Sequence, residues 1–100
     1  MPAIAIQGGR STGHDCFPPT PDVGPYTTTS FLNGRPIQLR GVTEYATHSC
    51  GKTTHPQSSR KIKDPGGSTF FLEGRPVAFV GDELTDAGDR VGKGSSDSFA

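Results

Sequence analysis

Apolar residues alternate with polar ones over short stretches of this chain, and no stretch shows the 3.6-residue period of a helix. The clearest alternation places Ile37 two residues before Leu39. Side chains two apart in a strand point to the same side, so this pair predicts a strand with one core-facing side. Ile4 and Ile6 predict another short strand near the start. The expected fold class is therefore all-β, with minimal helix.

The alternating strand belongs to an internal repeat with an offset of 40 residues. Residues 29–41, T-S-F-L-N-G-R-P-I-Q-L-R-G, recur as residues 69–81, T-F-F-L-E-G-R-P-V-A-F-V-G. Val77 and Phe79 take the places of the first apolar pair, and Gly-Arg-Pro and the closing Gly are kept. Each copy is predicted to form a strand, a tight turn and a second strand.

Turn residues support this interpretation of the repeat. Asn33-Gly34 is a strong hairpin signal, because both central residues of a type I′ turn need a positive φ. Glu73-Gly74 keeps the glycine. A third, truncated copy starts in residues 94–100, where G-S-S-D-S-F-A echoes the beginning of the second. Three copies predict approximate threefold internal symmetry within a single domain of residues 1–100.

The composition predicts that the hydrophobic core alone is too small to stabilise the fold. Only 30% of the 100 residues are hydrophobic and 8% are aromatic, while the chain contains 14 glycines and 9 prolines. Ordering the backbone costs about 1–2 kcal/mol per residue, which so few apolar side chains offset poorly. Short domains of this kind usually add a disulfide, a metal or a partner chain.

The charge of the chain argues against several classes of binding protein. The formal net charge is zero, which argues against a nucleic-acid or anionic-membrane footprint. A small basic run contains Lys52, Arg60, Lys61 and Lys63 without aromatic neighbours, and we expect a solvated loop there. The acidic residues of segment 82–93 miss the calcium-loop pattern and are expected in turns at the surface.

The chain has no apolar run of about 20 residues and no charged start typical of a secretory signal. We therefore expect synthesis in the cytoplasm without a signal peptide.

All three histidines and both cysteines fall in two clusters. One is His14 with Cys16, and the other is His48, Cys50 and His55. Imidazoles and thiolates are the ligands that zinc prefers, so we interpret the clusters as one converging metal site. A disulfide between the cysteines is the alternative, but a cytosolic chain with flanking histidines favours the metal.

The G-H-D-C-F-P-P entry, the N-G-R-P repeat and the H-x-C…H insertion together resemble the PAAR-repeat family, from about residue 13 to residue 100. The resemblance implies a small pointed cone of short β-hairpins that caps the trimeric spike of a contractile injection machine. It also implies a metal, generally zinc, close to the apex. The family binds that metal through three histidines and one cysteine, which carries over to His14, His48 and His55.

The fourth ligand departs from the family pattern. Many relatives place a cysteine shortly after the Val-Gly-Asp that closes the second repeat, whereas here residues 83–87 contain none. The candidates are Cys16, Cys50 and a carboxylate such as Asp86. We prefer Cys16, because it spreads the ligands evenly over two loops, with Cys50 as the next alternative. The expectation is a closed, tetrahedral N₃S structural zinc site, with iron as the alternative metal.

The resemblance also implies partners and a location. We expect one copy on each trimeric VgrG-like spike protein, transient contact with a target membrane, possible docked effector cargo and no nucleic acid. The protein would be assembled at the tip of a secretion-system or phage-tail spike and delivered outside or into a target cell. Edges of the repeated strands could continue the strands of a threefold partner.

Two rival functions were weighed against the spike tip. A zinc hydrolase needs an open metal position and a general base, and Glu44 is the only nearby carboxylate. A zinc-ribbon-like nucleic-acid module would carry paired C-x₂-C spacings and a basic face, and the chain has neither. Both rivals fit the sequence less well than a non-enzymatic tip.

Overall fold

The computed structural model describes residues 3–86 and 88–92. Within these ranges the chain forms short antiparallel strands and one three-residue 3-10 turn, Gln57–Ser59, and contains no α-helix. The predicted all-β class is confirmed. The strands are β1 Asp22–Gly24, β2 Phe31–Leu32, β3 Arg35–Pro36, β4 Glu44–Tyr45, β5 His48–Cys50, β6 Thr53–His55, β7 Phe71–Leu72 and β8 Arg75–Pro76.

The two full copies of the repeat form hairpins with the same register. In β2–β3 the first residue of one strand pairs with the last of the other, and β7–β8 does the same forty residues later. The turn residues have positive φ in both, at 53° and 75° for Asn33 and Gly34 and 54° and 77° for Glu73 and Gly74. The turn chemistry therefore acts as predicted, including at Glu73, where a non-glycine residue adopts this conformation.

Three extended segments form a closed ring of backbone hydrogen bonds, here called the central ring: residues 3–7, 36–40 and 76–80. The N–H of Ala5 donates to the Ala78 carbonyl at 3.0 Å, that of Ala78 to Gln38 at 3.1 Å, and that of Gln38 to Ala5 at 2.9 Å. The segment ends continue this cyclic pattern through Gln7 to Pro36, Arg40 to Pro76 and Val80 to Ala3. Each segment pairs with the other two, so the ring leaves no open edge within it.

The central ring buries side chains on both of its sides. Ile4, Ile37 and Val77 form one apolar cluster, as the alternation predicted for the last two. Ala5 and Ala78, which point the other way, belong to a second cluster that also contains Tyr45, Ile62, Leu84 and Val91. The core is therefore wider than the single face expected from alternation, because other parts of the chain cover the second side.

Gln38 occupies in the second ring segment the position that Ala5 and Ala78 occupy in the other two, and its polar side chain is fully buried. Its amide nitrogen donates to the Ile6 carbonyl at 2.7 Å and to Asp22 Oδ2 at 2.6 Å. Its oxygen accepts the Tyr45 hydroxyl at 2.7 Å. A buried amide is tolerated when its donors and acceptor are paired, and here they are.

The third predicted repeat, residues 94–100, lies outside the described residues. None of the described residues forms a helix with the length and hydrophobicity of a membrane span.

Glu73 ties the second hairpin turn to the segment that precedes the first hairpin. Its carboxylate accepts the N–H groups of Thr28, Thr29 and Ser30 at 2.9–3.1 Å, together with the hydroxyls of Thr28 and Thr29. The N–H groups of Thr28 and Thr29 contribute most to lowering the pKa of Glu73 from 4.5 to about 2. The ionised form is the one that makes this contact.

We predict that Glu73→Gln lowers the free energy of unfolding near neutral pH. The folded-state pKa lies below the unfolded one, so the stabilisation is complete above the unfolded pKa and disappears as pH falls towards 2. Denaturant unfolding of both proteins from pH 7 to pH 2 should show the gap closing. An NMR titration that places the Glu73 carboxyl at an ordinary glutamate pKa would contradict this explanation.

Candidate metal centre

The β5–β6 hairpin places two histidines opposite each other. His48 begins β5 and His55 ends β6, and the two are direct partners in the antiparallel register. Gly51, with a φ of 61°, helps form the tight turn that joins the strands. As a result His48 Nε2 lies 3.0 Å from His55 Nδ1.

A second, smaller turn supplies His14. The N–H of His14 donates to the Phe17 carbonyl at 3.1 Å, and the N–H of Phe17 donates back at 2.8 Å. This pairing folds the Phe17 ring onto the imidazoles, with centroid distances of 4.9 Å to His14 and 4.0 Å to His55. The aromatic ring therefore covers part of the histidine group.

Asp86 completes what we call the His–Asp cluster: His14, His48, His55 and Asp86. Asp86 Oδ2 lies 3.3 Å from His14 Nε2, 3.0 Å from His48 Nε2 and 3.3 Å from His55 Nδ1. All four potential ligand atoms lie within 4.8 Å of one another. The cluster could therefore hold one metal ion.

The hydrogen bond made by His48 Nδ1 favours a cation in the cluster. Its Nδ1 lies 3.1 Å from the Pro18 carbonyl oxygen, which can only accept a hydrogen bond. In the neutral ring Nε2 then presents a lone pair, and this atom faces both the Asp86 carboxylate and His55. Protons could bridge single pairs of these atoms, whereas one cation at the centre would bind all of them.

Geometry and burial fit a closed site. Ligand atoms at the corners of a tetrahedron with bonds of about 2.0–2.1 Å lie about 3.3 Å apart, close to four of the six distances between the ligand atoms, which are 3.0–3.3 Å. The His48 and Asp86 side chains are buried, whereas His55 is 26% exposed. Asp86 Oδ1, the other oxygen of the carboxylate, is buried without a hydrogen-bond partner among the described residues, and a cation bound by the carboxylate would compensate its charge. Three imidazoles and a carboxylate form a donor set that suits zinc.

Arg60 holds the carboxylate of the cluster in place. The guanidinium is fully buried, and its Nε donates to Asp86 Oδ2 at 3.0 Å. Burial acts to raise the pKa of Asp86, but the hydrogen bond and charge of Arg60, together with His48 and His14, outweigh it, so the pKa lies below its ordinary value. The carboxylate is therefore kept ionised, the form that binds a cation.

Arg60 also joins the other chain segments around the cluster. Its Nη2 donates to Asp89 Oδ2 and, at 3.2 Å, to Ser11 Oγ, while its Nη1 donates to the Ala46 carbonyl. Asp89 Oδ1 in turn accepts the N–H of Gly13 at 2.9 Å, next to His14. The buried Arg60 guanidinium thus connects the segments that carry His14, His48 and Asp86.

These residues correct two sequence-based expectations. Arg60 was expected in a solvated loop, and the acidic residues of segment 82–93 at the surface, but Arg60, Asp86 and Asp89 are all buried. The sequence signal that could have predicted this burial is a two-residue spacing from buried apolar residues. Arg60 lies two residues before buried Ile62, and Asp86 lies two residues after buried Leu84, which is the spacing of side chains on one side of a strand. The inward charges are tolerated because they pair with one another.

The structure brings the three predicted histidines together but places the sulfurs elsewhere. Cys16 and Cys50, the preferred and the alternative fourth ligand, form a disulfide with Cα atoms 5.5 Å apart, inside the usual range of about 4.4–6.8 Å. Asp86, the remaining candidate, occupies the fourth place. The two His-x-Cys segments lie side by side, with the imidazoles in the cluster and the sulfurs joined to each other. The donor set that the structure offers to an ion is therefore N₃O, whereas N₃S was expected.

Glu44, weighed as a general base, is not one of the cluster residues. Its Oε1 accepts the side-chain amide of Gln57 at 2.9 Å.

A scan against protein-family models finds no match for this chain, and a search of curated proteins finds no relative. The cluster is therefore interpreted from its own geometry, and the PAAR resemblance stays a prediction.

We predict that the oxidised protein binds one zinc ion through nitrogen and oxygen alone. Zinc-edge spectroscopy should show a first shell at about 2.0–2.1 Å and no sulfur shell at about 2.3 Å. Asp86→Asn should weaken zinc binding, because it removes the charged ligand, whereas the control Glu44→Gln should not. A sulfur shell, or equal affinities for the two variants, would contradict the assignment.

We predict that Arg60→Met lowers the free energy of unfolding by about 3–5 kcal/mol, because it leaves two buried carboxylates without their cation. Lys61→Met, at the exposed neighbouring position, is the control and should change it by less than about 0.5 kcal/mol. Urea unfolding of the two variants measures the difference. Equal midpoints would show that Arg60 does not support the cluster.

Proposed function

We propose that this protein is the non-enzymatic tip of a membrane-piercing spike, a PAAR-type cap on a trimeric VgrG-like spike protein. The observation that carries the proposal is the central ring, in which three extended segments donate and accept backbone hydrogen bonds in cyclic order. Such an arrangement gives a single chain three similar sides. A chain with three similar sides is suited to sit on the axis of a trimer.

The correspondence of the three ring segments supports approximate threefold symmetry. Each segment is followed directly by a glycine with positive φ: Gly8 at 94°, Gly41 at 76° and Gly81 at 95°. The second and third segments follow the hairpin turns of the repeat. The first segment corresponds to the second strand of such a hairpin. We propose that it belongs to the third unit of the approximate symmetry.

The exposed aromatic residues support a partner at the hairpins. Phe31 in β2 is 58% exposed, and Phe71, its equivalent in β7, is 53% exposed. Aromatic residues are enriched where proteins meet. Among the described residues β2 and β7 each pair on one side only, in two-stranded sheets, so the other edge could pair with a partner strand. We propose that the strands of the trimeric partner continue these hairpins, with one copy of this protein on each trimer.

The His–Asp cluster supports the mechanical role. Its ligands come from the turn at His14, the β5–β6 hairpin and the segment at Asp86, so one ion would cross-link three parts of the chain. Structural zinc contributes about 10–16 kcal/mol in finger peptides, a large amount beside a small core. We propose that zinc, with iron as the alternative, stabilises the pointed end during transient contact with a target membrane.

A structural metal is favoured over a catalytic one by burial. The side chains of His48, Asp86 and His14 are 0%, 4% and 9% exposed, and His55, at 26%, is the one ligand residue that reaches the surface, so a substrate would have little access to the ion. A hydrolase would also need a general base, and Glu44 is engaged with Gln57. We propose assembly on the spike in the producing cell, followed by delivery outside it or into a target cell, with effector cargo docked separately.

We predict a complex of one copy of this protein with one trimer of the spike protein of its contractile machine. Native mass spectrometry of the co-expressed proteins should give a 1:3 mass. The double variant Phe31→Asp and Phe71→Asp should weaken the complex at least tenfold, because it places charge in the apolar contact, while Lys52→Asp in the β5–β6 turn should not. A stable self-associated trimer of this chain would contradict the proposal.

A further inference from the structure

The disulfide joins the two segments that supply the histidines of the His–Asp cluster. Cys16 lies in the turn between His14 and Phe17, and Cys50 is the last residue of β5. His48 and Cys50 are two apart in a strand, so they point to the same side. The disulfide therefore lies beside the cluster and spans the same pair of segments.

Few direct contacts other than the disulfide hold residues 14–17 against the β5–β6 hairpin. Among residues 3–86 and 88–92, no backbone hydrogen bond connects residues 14–17 to β5 or β6. The direct contacts are the His–Asp cluster itself, the Phe17 ring against His48 and His55, and the bond between His48 and the Pro18 carbonyl. The Arg60 network reaches only the flanking residues Gly13 and Ala46. The disulfide is thus the only covalent restraint on the separation of His14 from the hairpin, apart from the chain itself.

We propose that the Cys16–Cys50 pair is a redox latch on the metal centre. When the disulfide is closed, it keeps the His14 turn against the β5–β6 hairpin and slows release of the ion. When it is reduced, His14 can separate from the other ligands and the ion leaves faster. The proposal deepens the proposed function and rests on its metal centre.

The latch closes by thiol–disulfide exchange with a small-molecule disulfide such as oxidised glutathione. One cysteine sulfur attacks the glutathione disulfide, forms a mixed disulfide and releases one glutathione. The second cysteine sulfur then attacks the first, closes Cys16–Cys50 and releases the other glutathione. The two cysteines lose two electrons, glutathione disulfide gains them, and the two thiol protons pass to the released glutathiones.

Both sulfurs belong to residues that solvent can reach. Cys16 is exposed and Cys50 is partly exposed, so a small thiol or disulfide has access to the bond. Thiols are kept reduced in the cytosol and disulfides persist outside it. On the proposed delivery route, the latch is open during synthesis and metal loading and closes once the tip leaves the reducing compartment.

The test compares zinc release from two redox forms of the same wild-type chain. Protein loaded with one zinc ion is either oxidised with glutathione disulfide or reduced with a phosphine, and the two forms are verified by intact mass after thiol labelling. Transfer of zinc to an excess of a chromogenic chelator gives the release rate. We expect release at least tenfold slower from the oxidised form.

Variants separate the latch from other effects of the redox reagents. Cys16→Ser with Cys50→Ser should release zinc at the fast, reduced rate under both conditions. Ser49→Ala, between the histidine and the cysteine of β5, is the matched control and should keep the full redox difference. Because the main comparison uses the wild-type chain, it does not depend on the folding of any variant.

Each result decides between the latch and the metal centre. Equal release from the two wild-type forms, or cysteines that stay free in excess glutathione disulfide, would overturn the latch and leave the metal centre intact. Failure of both forms to bind zinc would overturn the latch and the metal centre together. Capping of the spike trimer is measured separately by native mass and does not depend on the outcome.

Discussion

The buried Asp86 carboxylate is the interaction on which the rest of this structure depends. One of its oxygens lies within 3.3 Å of three imidazole nitrogens and the Arg60 guanidinium. A carboxylate removed from water is costly unless cations and donors surround it. Here the surrounding groups come from distant parts of the chain, so satisfying this one oxygen brings those parts together. The same constraint produces both the fold around the cluster and its capacity for a metal ion.

Two different kinds of interaction therefore compensate for a lean apolar core. The central ring is held by backbone hydrogen bonds among three extended segments and is largely indifferent to side-chain identity. The region around the His–Asp cluster contains the β5–β6 hairpin, and its segments are joined mainly by side chains, through Arg60, the carboxylates and the disulfide. If the proposed metal centre and latch hold, only this second kind of interaction responds to metal supply and redox conditions. The proposed spike tip would use both, one part to bind a partner and another to hold the metal.

The hairpins and the histidine set could be predicted, whereas the identity of the fourth ligand could not. Asn33-Gly34 specifies its turn locally, through backbone conformations that few residue pairs adopt. The three histidines were recognisable because rare ligand residues are grouped. Arg60 was expected in a solvated loop, and Asp86 was only the last of three candidate ligands, since a charged residue in a polar stretch is normally solvated. Their two-residue spacing from Ile62 and Leu84 was the available signal, but alternation indicates a side of the strand without showing what that side meets.

The amino-acid sequence by itself determined the all-β class, the two repeated hairpins and the small set of side chains able to bind a metal. These follow from local rules of period and turn geometry, which act over a few residues. Tertiary structure alone decided that Cys16 meets Cys50, that Asp86 joins the histidines and that residues 3–7 close the central ring. Pairings of this kind depend on how segments tens of residues apart pack against each other. A buried carboxylate such as Asp86 is stable only where that packing brings cationic or donor groups within hydrogen-bond distance.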